Sequence, residues 1–431
     1  MKVLWFVNTP SLGASYLKAT TVGGGWIESL ETKITQIPDL HLGIVFKWGN
    51  AQVSPFTIER TKYYPVYKPL PQGKLKKILH RWKHKIDYEE NIPVYLNIIE
   101  EFKPDLIHIF GTEDDFGLVI PQTATPCIIH IQGNLTVYSH KWYSGISGSD
   151  VLQHSKLSIL LKGNGLFHEY QVYKKEAERE RKIFQSCHFF TGRTDWDRRI
   201  ALSLSPRATY FHCEEMLRQE FYLNQWNPFS AASYTIVTTI RKNIYKGLET
   251  ILECKKILEK NFSQFQIQWK VAGIKEGDEL VDLVESKYKE KFKDYNIQLL
   301  GPLNVNQLIT EMLTANLFIH PSHIDNSPNS LCEAMILGLP VISTYAGGIP
   351  SLLEDKKEGI LVQDGDPYAL CGAIIELLRD KEYAASLGKN ARMRASLRHN
   401  EQNIIDTVLK MYIHVRELSS NLPSPAPYIN D

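Results

Sequence analysis

The sequence lacks the marks of several classes of protein. Its 431 residues contain no run of about 18 apolar residues, so no membrane-spanning helix is predicted. The apolar run near the start, Val3–Val7, is too short for a signal peptide. Lys and Arg together number 49 and Asp and Glu number 48, a balance that gives no general attraction for nucleic acid. We therefore expect a cytoplasmic protein that does not bind nucleic acid.

The cysteines also lack the spacing of known cysteine sites. None of the six belongs to a CxxC motif or lies at metal-ligand spacing from a histidine. Most lie in apolar stretches, so we expect buried, reduced thiols and no metal site. The six are Cys127, Cys187, Cys213, Cys254, Cys332 and Cys371.

Length and composition indicate a globular chain of more than one domain. At about 150 residues for each domain, the chain is long enough for two or three. Hydrophobic residues make up 43% of the sequence and charged residues 23%, a composition that supports large cores and argues against disorder.

Short apolar runs alternate with longer segments of helical periodicity in both halves of the chain. Runs that are apolar throughout are typical of parallel strands covered by helices on both faces. The pattern predicts an α/β fold of two doubly wound, Rossmann-like parallel-sheet domains. We place these domains at residues 1–222 and 234–396. The polar stretch 224–233 is the expected linker, and residues 397–431 form a carboxyl-terminal helix and tail.

Three glycines, Gly23, Gly24 and Gly25, lie between the first predicted strand and a helical pattern. Glycines in such a loop let the backbone approach a phosphate or a sugar and leave the helix amides free to donate. The stretch is not a GxGxxG motif, so a nicotinamide cofactor is disfavoured. The alternative is a flexible turn before the helix.

Arg241 and Lys246 follow the first strand of the second predicted domain. Two cations brought together by a turn could hold a diphosphate and stabilise the charge that develops on it as a leaving group. They could also replace a divalent metal. The alternative is an ordinary basic surface loop.

Two acids, Asp325 and Glu333, lie eight positions apart, one in a loop and one in the helix that follows it. The amides of Asn329, Ser330 and Leu331 fall near the start of that helix, where the helix dipole favours a phosphate. One carboxylate could bind a ribose diol and the other a sugar ring. The alternative is a capped core helix with two incidental acids, but a nucleotide-diphosphate sugar would satisfy the whole set.

The segment resembles the signature of the family-4 retaining glycosyltransferases, which have the glycosyltransferase-B fold of two facing Rossmann-like domains. The resemblance covers residues 234–396 well and the first domain only in its rhythm and its glycine turn. The matching residues are Pro321-Ser322, Asp325, Glu333, Ala334-Met335, Gly338-Leu339-Pro340-Val341, Thr344 and Gly347-Gly348.

The resemblance implies a role for each matching position. Arg241 and Lys246 would hold the donor diphosphate, and Glu333 would hold the ribose hydroxyls. Residues 397–431 would return to the first domain. The other implied donor contacts are Asn329, Ser330 and Leu331 with the phosphates, Gly301, Pro302 and Leu303 near the base, and Gly24 and Gly25 from across the cleft.

Asp325 departs from the family pattern, which has Glu at this position. Its carboxylate reaches roughly 1.5 Å less far from the backbone, so its contact with the sugar would be altered or mediated by water. A catalytically inactive subunit that binds a nucleotide sugar is therefore one alternative. A nucleotide-sugar epimerase or phosphorylase of the same fold is another.

Three residues near predicted strand ends of the first domain are candidates for contact with the acceptor or the donor sugar. Gln132 takes the place of a histidine in the family's strand-end His-Gly pair, and His130 lies two positions earlier on the same face of the strand. Glu113 follows another strand and could bind an acceptor hydroxyl. The segment around Arg193 follows a further strand.

Residues 74–86 predict a basic amphipathic helix whose apolar stripe includes Trp82. Such a helix could bind an anionic membrane surface. The alternative is a domain helix whose stripe faces the sheet. The tyrosines and prolines of residues 63–71 indicate an irregular loop.

The sequence therefore predicts a retaining, metal-independent glycosyltransferase with Asp325, Arg241 and Lys246 as its catalytic residues. Its donor would be a nucleotide-diphosphate sugar, with no other cofactor. Its acceptor would be a hydroxyl of a glycan or a lipid-linked molecule in surface polysaccharide or glycolipid synthesis. The enzyme would be cytoplasmic and peripheral on the inner face of the membrane. By the resemblance, the leaving phosphate would take the acceptor's proton in a front-face mechanism.

Overall fold

The computed structural model describes residues 1–18, 25–67, 73–84, 86, 89–228 and 233–420. The chain forms two compact units. Unit 1 comprises Met1–Val137, Gln171–Met216 and the carboxyl-terminal segment from His399. Unit 2 comprises Tyr138–Tyr170 and Leu217–Arg398.

Strands and helices alternate along both units. The strands are β1 Lys2–Phe6, β2 His41–Trp48, β3 Phe56–Ile58, β4 Thr61–Tyr67, β5 Leu106–Phe110, β6 Cys127–His130, β7 Phe189–Gly192, β8 Thr209–His212, β9 Tyr234–Thr239, β10 Ile267–Ala272, β11 Ile297–Gly301, β12 Leu317–His320, β13 Val341–Thr344 and β14 Ile360–Val362.

The α-helices are α1 Gly13–Tyr16, α2 Gly25–Ile34, α3 Lys74–Trp82, α4 Ile92–Phe102, α5 Leu135–Lys141, α6 Gly148–His154, α7 Leu157–Leu161, α8 Leu166–Ser186, α9 Asp195–Leu204, α10 Gln219–Tyr222, α11 Leu248–Asn261, α12 Glu279–Tyr288, α13 Val305–Leu313, α14 Asn329–Leu337, α15 Pro367–Arg379, α16 Lys381–Arg398 and α17 Glu401–Ser419. Short 3-10 helices are Glu89–Asn91, Phe116–Gln122, Ile244–Lys246, Ser263–Phe265, Phe292–Tyr295 and Ile349–Ser351.

The sheet of unit 1 has the strand order β3-β4-β2-β1-β5-β6-β7-β8. Its strands run parallel except that β3 pairs antiparallel with β4. Successive residues of β1 face opposite sides of the sheet, with Val3 and Trp5 in one apolar cluster and Leu4 and Phe6 in the other. Helices cover both faces, which explains why the central strands are apolar along their whole length.

The sheet of unit 2 is parallel throughout, with the order β11-β10-β9-β12-β13-β14. This is the doubly wound order in which the chain builds outward from a first strand, returns to it and builds the other way. The direction reverses between β9 and β12. In unit 1 the same reversal lies between β1 and β5. A doubly wound parallel sheet in each of two units is therefore confirmed.

The division of the chain departs from the expected domains in two segments. Residues 138–170 and 217–222, both expected in the first domain, belong to unit 2. Residues 138–170 attach to the rest of unit 2 through both ion pairs and aromatic packing. Lys156 Nζ lies 2.6 Å from Asp282 Oδ2, and the buried ring of Trp142 lies 5.8 Å from that of Tyr245. Such long-range pairs leave no periodic signal in the sequence. Helix α17 belongs to unit 1.

Two local expectations are wrong. Residues 61–67 form the strand β4 instead of an irregular loop, and Tyr63 and Tyr64 are buried in it. The basic helix is shorter than predicted and ends at Trp82, and none of its residues is buried. Its apolar stripe therefore does not face the sheet.

The sequence predicted reduced cysteines and no membrane-spanning helix. All six cysteines lie among the described residues, where they are buried and form no disulfide. Among the described residues, no helix combines the length and the apolar content needed to cross a membrane.

Candidate functional site

The strongest candidate residues of unit 2 lie at the point where its strand order reverses. The parallel neighbours β9 and β12 end at Thr239 and His320, so the loops that follow them lie at the same edge of the sheet. Ligands of doubly wound folds bind outside the carboxyl ends of the strands at such a reversal. One loop carries Arg241 and Lys246, and the other carries Asp325.

Asp325 is the centre of a buried cluster. Its Oδ2 lies 2.6 Å from Lys246 Nζ and 3.0 Å from His320 Nε2. Its Oδ1 accepts a hydrogen bond from the backbone N–H of Asn326 at 3.0 Å, and the hydroxyl of Tyr138 donates to it at 3.4 Å. Both carboxylate oxygens are thus occupied by the protein itself.

Burial and neighbouring groups together set the protonation states of Asp325 and His320. Burial alone would raise the pKa of Asp325, but the ammonium of Lys246 and the hydrogen bond with His320 outweigh it, so the pKa lies well below its usual range. Burial lowers the pKa of His320, which is therefore neutral at pH 7. A neutral His320 that donates through Nε2 leaves Nδ1 as a buried acceptor with no hydrogen-bond partner.

The loop after β9 carries cations with different partners. Lys242 pairs with Asp278 at 2.9 Å and Lys246 pairs with Asp325 at 2.6 Å. Arg241 is exposed, and its side chain makes no hydrogen bond or ion pair with any described residue. The guanidinium of Arg241 is thus the uncompensated charge of this loop.

The start of helix α14 provides backbone donors. The N–H of Leu331, predicted to be available, already donates to the carbonyl of Pro328 at 3.0 Å. The N–H groups of Asn329 and Ser330 have no acceptor within the part of the chain that the structure describes. Pro328 at the N-cap provides no side-chain cap. The positive end of the helix dipole and two amides are therefore open to an anion.

Glycines fix the two loops that carry these residues. Gly347 has φ +55°, and a Cβ there would lie 2.0 Å from the carbonyl oxygen of Asp325. The next residue, Gly348, donates its N–H to that oxygen at 2.9 Å. Gly247 has φ +77°, and its Cβ would lie 2.2 Å from the carbonyl oxygen of Pro321. Side chains at these positions would displace the loops.

Glu333 has a partner that the sequence did not predict. Arg218 donates from Nε to Glu333 Oε1 at 2.7 Å and from Nη2 to Oε2 at 2.8 Å. Burial raises the pKa of Glu333, and Arg218 opposes that rise. Among the described residues, Glu333 makes no hydrogen bond or ion pair with Arg241 or Lys246. A ribose could use only the lone pairs that Arg218 leaves free.

The predicted base contacts lie at the end of β11, an edge strand of the sheet. Gly301 has φ +70° and exchanges backbone hydrogen bonds of 2.8 Å with Gly273 and Ile274. Pro302 is exposed and Leu303 is half-buried. In the strand order, β11 lies two positions from β9, which precedes Lys246, and three positions from β12, which precedes Asp325.

A second buried charge cluster in unit 2 was not predicted. His323 lies in the loop after β12, and its Nε2 lies 2.6 Å from Glu249 Oε1, while its Nδ1 lies 3.4 Å from Asp364 Oδ2. Burial opposes protonation, but the bond to Glu249 outweighs it and raises the pKa of His323. These residues come from three separate segments, so no motif connects them.

The candidates of unit 1 lie at the carboxyl ends of β5, β6 and β7. Gln132 donates from Nε2 to Glu215 Oε1 at 2.7 Å, and Arg193 pairs with Glu215 Oε2. Arg193 also donates to the backbone carbonyl of Gln132 at 3.0 Å. His130 Nε2 lies 3.3 Å from Glu215 Oε1 but makes no hydrogen bond. Burial lowers the pKa of His130.

Glu113 lies beside this cluster. Gly111 has φ +85°, and a Cβ there would lie 2.0 Å from Glu113 Oε2 and 3.4 Å from Gln132 Cγ. The two candidate side chains thus flank the same glycine. Burial of its carboxyl group raises the pKa of Glu113 to about 7.

The structure brings some of the predicted residues together and leaves others apart. Lys246 and Asp325 are in contact, and Gln132, His130 and Glu113 share one region of unit 1. Gly25 is the first residue of α2, whereas Gly24 lies outside the described residues.

Sequence reasoning missed Arg218, Glu215, His320 and Tyr138. The available signals were weak: a pair of acids, Glu214 and Glu215, between Cys213 and Met216, and a histidine at a strand end five positions before Asp325.

The comparisons with known proteins place a family within unit 2. Residues 227–394 match the model of the glycosyl transferases group 1 family. The glycosyltransferase CapM of capsular polysaccharide biosynthesis, from Staphylococcus aureus, is 26% identical over 167 residues, which are 39% of this chain and 42% of CapM. Amylovoran biosynthesis glycosyltransferase AmsK from Erwinia amylovora is 27% identical over 184 residues, 38% of this chain and 41% of AmsK. The matches thus span less than half of these relatives.

Solved structures match almost the whole chain. Sucrose-phosphate synthase from Thermosynechococcus elongatus has a TM-score of 0.70 at 17% identity over 98% of this chain and 100% of that one. TarM has a TM-score of 0.64 at 14% identity over 95% and 98%. HepE from Anabaena, solved with UDP-glucose, has a TM-score of 0.59 at 15% identity over 98% and 100%. At such identities the likeness establishes the fold, which is that of the glycosyltransferase-B enzymes. Residues 227–394 of this chain are thus similar in sequence to the glycosyl transferases group 1 family.

Proposed function

We propose that the chain is a glycosyltransferase that moves a sugar from a nucleotide-diphosphate sugar to a hydroxyl of a glycan or lipid-linked acceptor, in the synthesis of a capsular or other surface polysaccharide. The main support comes from the loops after β9 and β12. There the guanidinium of Arg241 and the backbone amides of Asn329 and Ser330 have no partner among the described residues, so they can bind an anion. The relatives named for capsular and amylovoran biosynthesis support this choice of pathway class.

The donor would bind through its diphosphate. Arg241 provides a planar set of donors for phosphate oxygens, and the start of α14 provides two backbone donors. Glu333 would accept from ribose hydroxyls on the lone pairs that Arg218 leaves free. Gly301, Pro302 and Leu303 would lie near the base. The UDP-glucose in HepE makes uridine nucleotides the first probes to try.

Lys246 and Asp325 would act together. Because Asp325 stays ionised, it holds the ammonium of Lys246 at 2.6 Å and keeps its direction fixed. Lys246 and Arg241 would then stabilise the negative charge that develops on the leaving diphosphate. The carboxylate oxygens of Asp325 are already occupied, which supports a positioning role and requires an exchange of partners before any contact with the sugar.

Transfer would proceed with retention and without a resident metal. The bond between the anomeric carbon and the diphosphate oxygen breaks, and the acceptor oxygen forms the new bond on the same face. The acceptor's proton passes to the departing phosphate. Arg241 and Lys246 provide the positive charge that a divalent ion provides in other transferases. On the acceptor side, Gln132 and Glu113 would hold hydroxyl groups, with His130 behind them as a neutral, buried side chain.

The test is sugar transfer from labelled donors to lipid-linked acceptors extracted from membranes. A thermal-shift screen against nucleotide sugars first identifies a donor, because a bound ligand stabilises the folded state. Native chain and Asp325→Glu are then compared. We expect turnover by the native chain. No turnover by the native chain, with a gain in Asp325→Glu, would instead support an inactive binding subunit.

A second candidate function is a phosphorylase. Trehalose phosphorylase from Grifola frondosa is 29% identical over 119 residues, which are 28% of this chain and 16% of that enzyme. Incubation of the donor with inorganic phosphate, in the absence of an acceptor, separates this function and an epimerase from a transferase. Consumption of donor sugar under those conditions would contradict the transferase proposal.

We also propose that α3 binds an anionic membrane surface. Its apolar stripe is open to solvent, with Leu75 77%, Leu79 60% and Trp82 48% exposed. Exposed basic residues flank the stripe, so both parts of the helix match an anionic bilayer. They are Lys74, Lys76, Lys77 and Arg81.

Flotation with vesicles of phosphatidylglycerol and phosphatidylcholine tests this binding. Lys76→Glu, Lys77→Glu and Arg81→Glu together should abolish a salt-sensitive association. The matched control changes three exposed lysines of unit 2 to Glu, at Lys289, Lys293 and Lys356, and should bind as the native chain does. Equal binding by the two triple variants would exclude α3 as the contact.

A further inference from the structure

Unit 1 contains an open cavity of about 720 Å³ that none of the proposed donor or acceptor residues lines. It lies where β2 ends, between α1 and the loop 49–55. The carboxyl end of a parallel strand is where ligands bind in this fold class. Its volume lies in the range of small-molecule sites.

The chemistry of the lining is neutral. Two aromatic side chains, Tyr16 and Trp48, are combined with three uncharged polar ones, Asn50, Gln52 and Ser54. Leu17, Gly49, Val53 and Pro55 complete the described lining. A neighbouring cavity of about 440 Å³ is lined by three glutamates, so the neutral lining belongs to this cavity specifically.

The polar groups are available to a ligand. The indole N–H of Trp48, the side-chain amide of Gln52 and the hydroxyl of Ser54 make no hydrogen bond with any described residue. Asn50 uses Oδ1 to accept from the backbone N–H of Gln52 at 3.0 Å, which leaves its NH₂ free. Donors and acceptors therefore surround the aromatic surfaces.

The aromatic surfaces are rigidly supported. Tyr16, which is 61% exposed, stacks on Phe56 with ring centroids 4.2 Å apart. Phe56 stacks in turn on the buried ring of Tyr63 at 4.9 Å, and the hydroxyl of Tyr63 is held by the buried carboxylate of Glu31. Trp48 packs edge-on against Phe46 at 6.3 Å. Rings fixed in this way bind at a low entropic cost.

We propose that this cavity binds neutral sugar units of the acceptor glycan. A pyranose presents C–H faces that pack on aromatic rings and hydroxyl groups that need uncharged donors and acceptors. A nucleotide or a phosphorylated lipid would need cations, and the described lining offers none. The inference rests on the proposed glycosyl transfer, because it assigns the ligand as the growing acceptor and not as the donor.

The experiment measures saccharide and nucleotide binding by the full chain in parallel, using NMR saturation transfer and titration. The probes are maltotetraose, chitotetraose, mannotetraose, the charged tetragalacturonate, and UDP. We expect at least one neutral tetrasaccharide to bind, and Tyr16→Ala and Trp48→Ala each to weaken it about tenfold. Gln52→Ala is a milder third variant. Tyr368→Ala, which removes a 74% exposed tyrosine of unit 2, should bind as the native chain does.

The inference is overturned if no neutral tetrasaccharide binds at about 10 mM, if tetragalacturonate binds more tightly, or if binding survives both aromatic substitutions. The UDP titration separates this failure from that of the proposed function. UDP binding without saccharide binding rejects the cavity assignment alone. Saccharide binding that depends on Tyr16 and Trp48, without binding of UDP here or of any nucleotide sugar in the thermal-shift screen, rejects the donor assignment and leaves the cavity as a glycan site.

Discussion

The two units place different charge clusters at equivalent ends of their sheets. In unit 1, the guanidinium of Arg193 is buried and neutralised by Glu215, and Gln132 and His130 lie around the same carboxylate. In unit 2, Lys246 is neutralised by Asp325, but the nearby Arg241 is exposed and has no side-chain partner among the described residues.

The difference indicates which ligand each end can take. A closed, neutral cluster presents amide and carboxyl groups to uncharged hydroxyls, whereas an open cation next to a helix start attracts an anion. We therefore expect uncharged hydroxyls to bind at this end of unit 1 and a diphosphate to bind at this end of unit 2. The distinction lies in a single unpaired arginine and two free amides.

The largest effect should come from removing Arg193 from the buried cluster of unit 1, which Arg193 forms with Glu215, Gln132 and His130. Arg193→Ala leaves Glu215 buried without its charge partner, so we expect unfolding to become about 3–5 kcal/mol easier. Denaturant titration of the native chain and the variant measures this change in the free energy of unfolding. Arg193→Ala combined with Glu215→Gln should recover part of the loss. A stability change below about 1 kcal/mol for Arg193→Ala would mean that the cluster is not closed.

Arg241→Ala should change activity and leave stability unchanged, whereas Arg193→Ala should lower stability. Because its side chain has no protein partner, we expect unchanged unfolding and a loss of kcat/KM for transfer of about 100-fold or more. The matched control is Lys242→Ala, which removes the neighbouring exposed cation that already pairs with Asp278. Equal activity losses in the two variants would reduce Arg241 to one basic residue of a surface loop.

Gly347→Ala should displace the loop that carries Asp325. We call Arg241, Lys246, Asp325 and the free amides of Asn329 and Ser330 the open cluster of unit 2. A Cβ at φ +55° would lie 2.0 Å from the carbonyl oxygen of Asp325, so we expect a loss of about 1–3 kcal/mol in stability together with weaker donor binding. Gly372→Ala in helix α15, where a Cβ has open space within 4 Å, should be neutral or stabilising. Thermal unfolding with and without donor compares the two variants. Identical results for Gly347→Ala and Gly372→Ala would show that the loop at Asp325 does not need a glycine at position 347.

The smallest effect concerns Glu113 and pH. Its folded-state pKa of about 7 lies above the ordinary value of 4.5, so the folded state binds more protons and stability falls as pH rises between those values. Glu113→Gln should remove that slope, and the variant should gain stability relative to the native chain between pH 5 and pH 8. Parallel slopes for the two proteins would show that the carboxyl group of Glu113 titrates normally.

The sequence predicted the parts of the molecule that local patterns encode. Apolar runs predicted a doubly wound parallel sheet in each half of the chain, although not every strand of it. The pattern around Asp325 pointed to the edge of unit 2 where Lys246 and Asp325 are in contact. Residues 61–67 were missed as a strand because Pro65 and the prolines that follow it indicated a loop. The tyrosines favour a strand, and Tyr63 and Tyr64 are buried in the core.

Long-range pairing could not be predicted. Arg218 lies 115 positions from Glu333, and Tyr138 lies 187 positions from Asp325. Such contacts are set by the packing of distant segments and leave no spacing rule in the chain. For the same reason residues 138–170 gave no sign that they belong to unit 2.

Calorimetric titration of nucleoside diphosphates and monophosphates tests the central claim most directly, namely that the open cluster of unit 2 binds a diphosphate. The panel is UDP, GDP and ADP with UMP, GMP and AMP, against the native chain and Arg241→Met. The account predicts that one diphosphate binds at least about tenfold more tightly than its monophosphate and that Arg241→Met removes most of this difference. Equal affinities for the two, or a difference that Arg241→Met leaves intact, would contradict it.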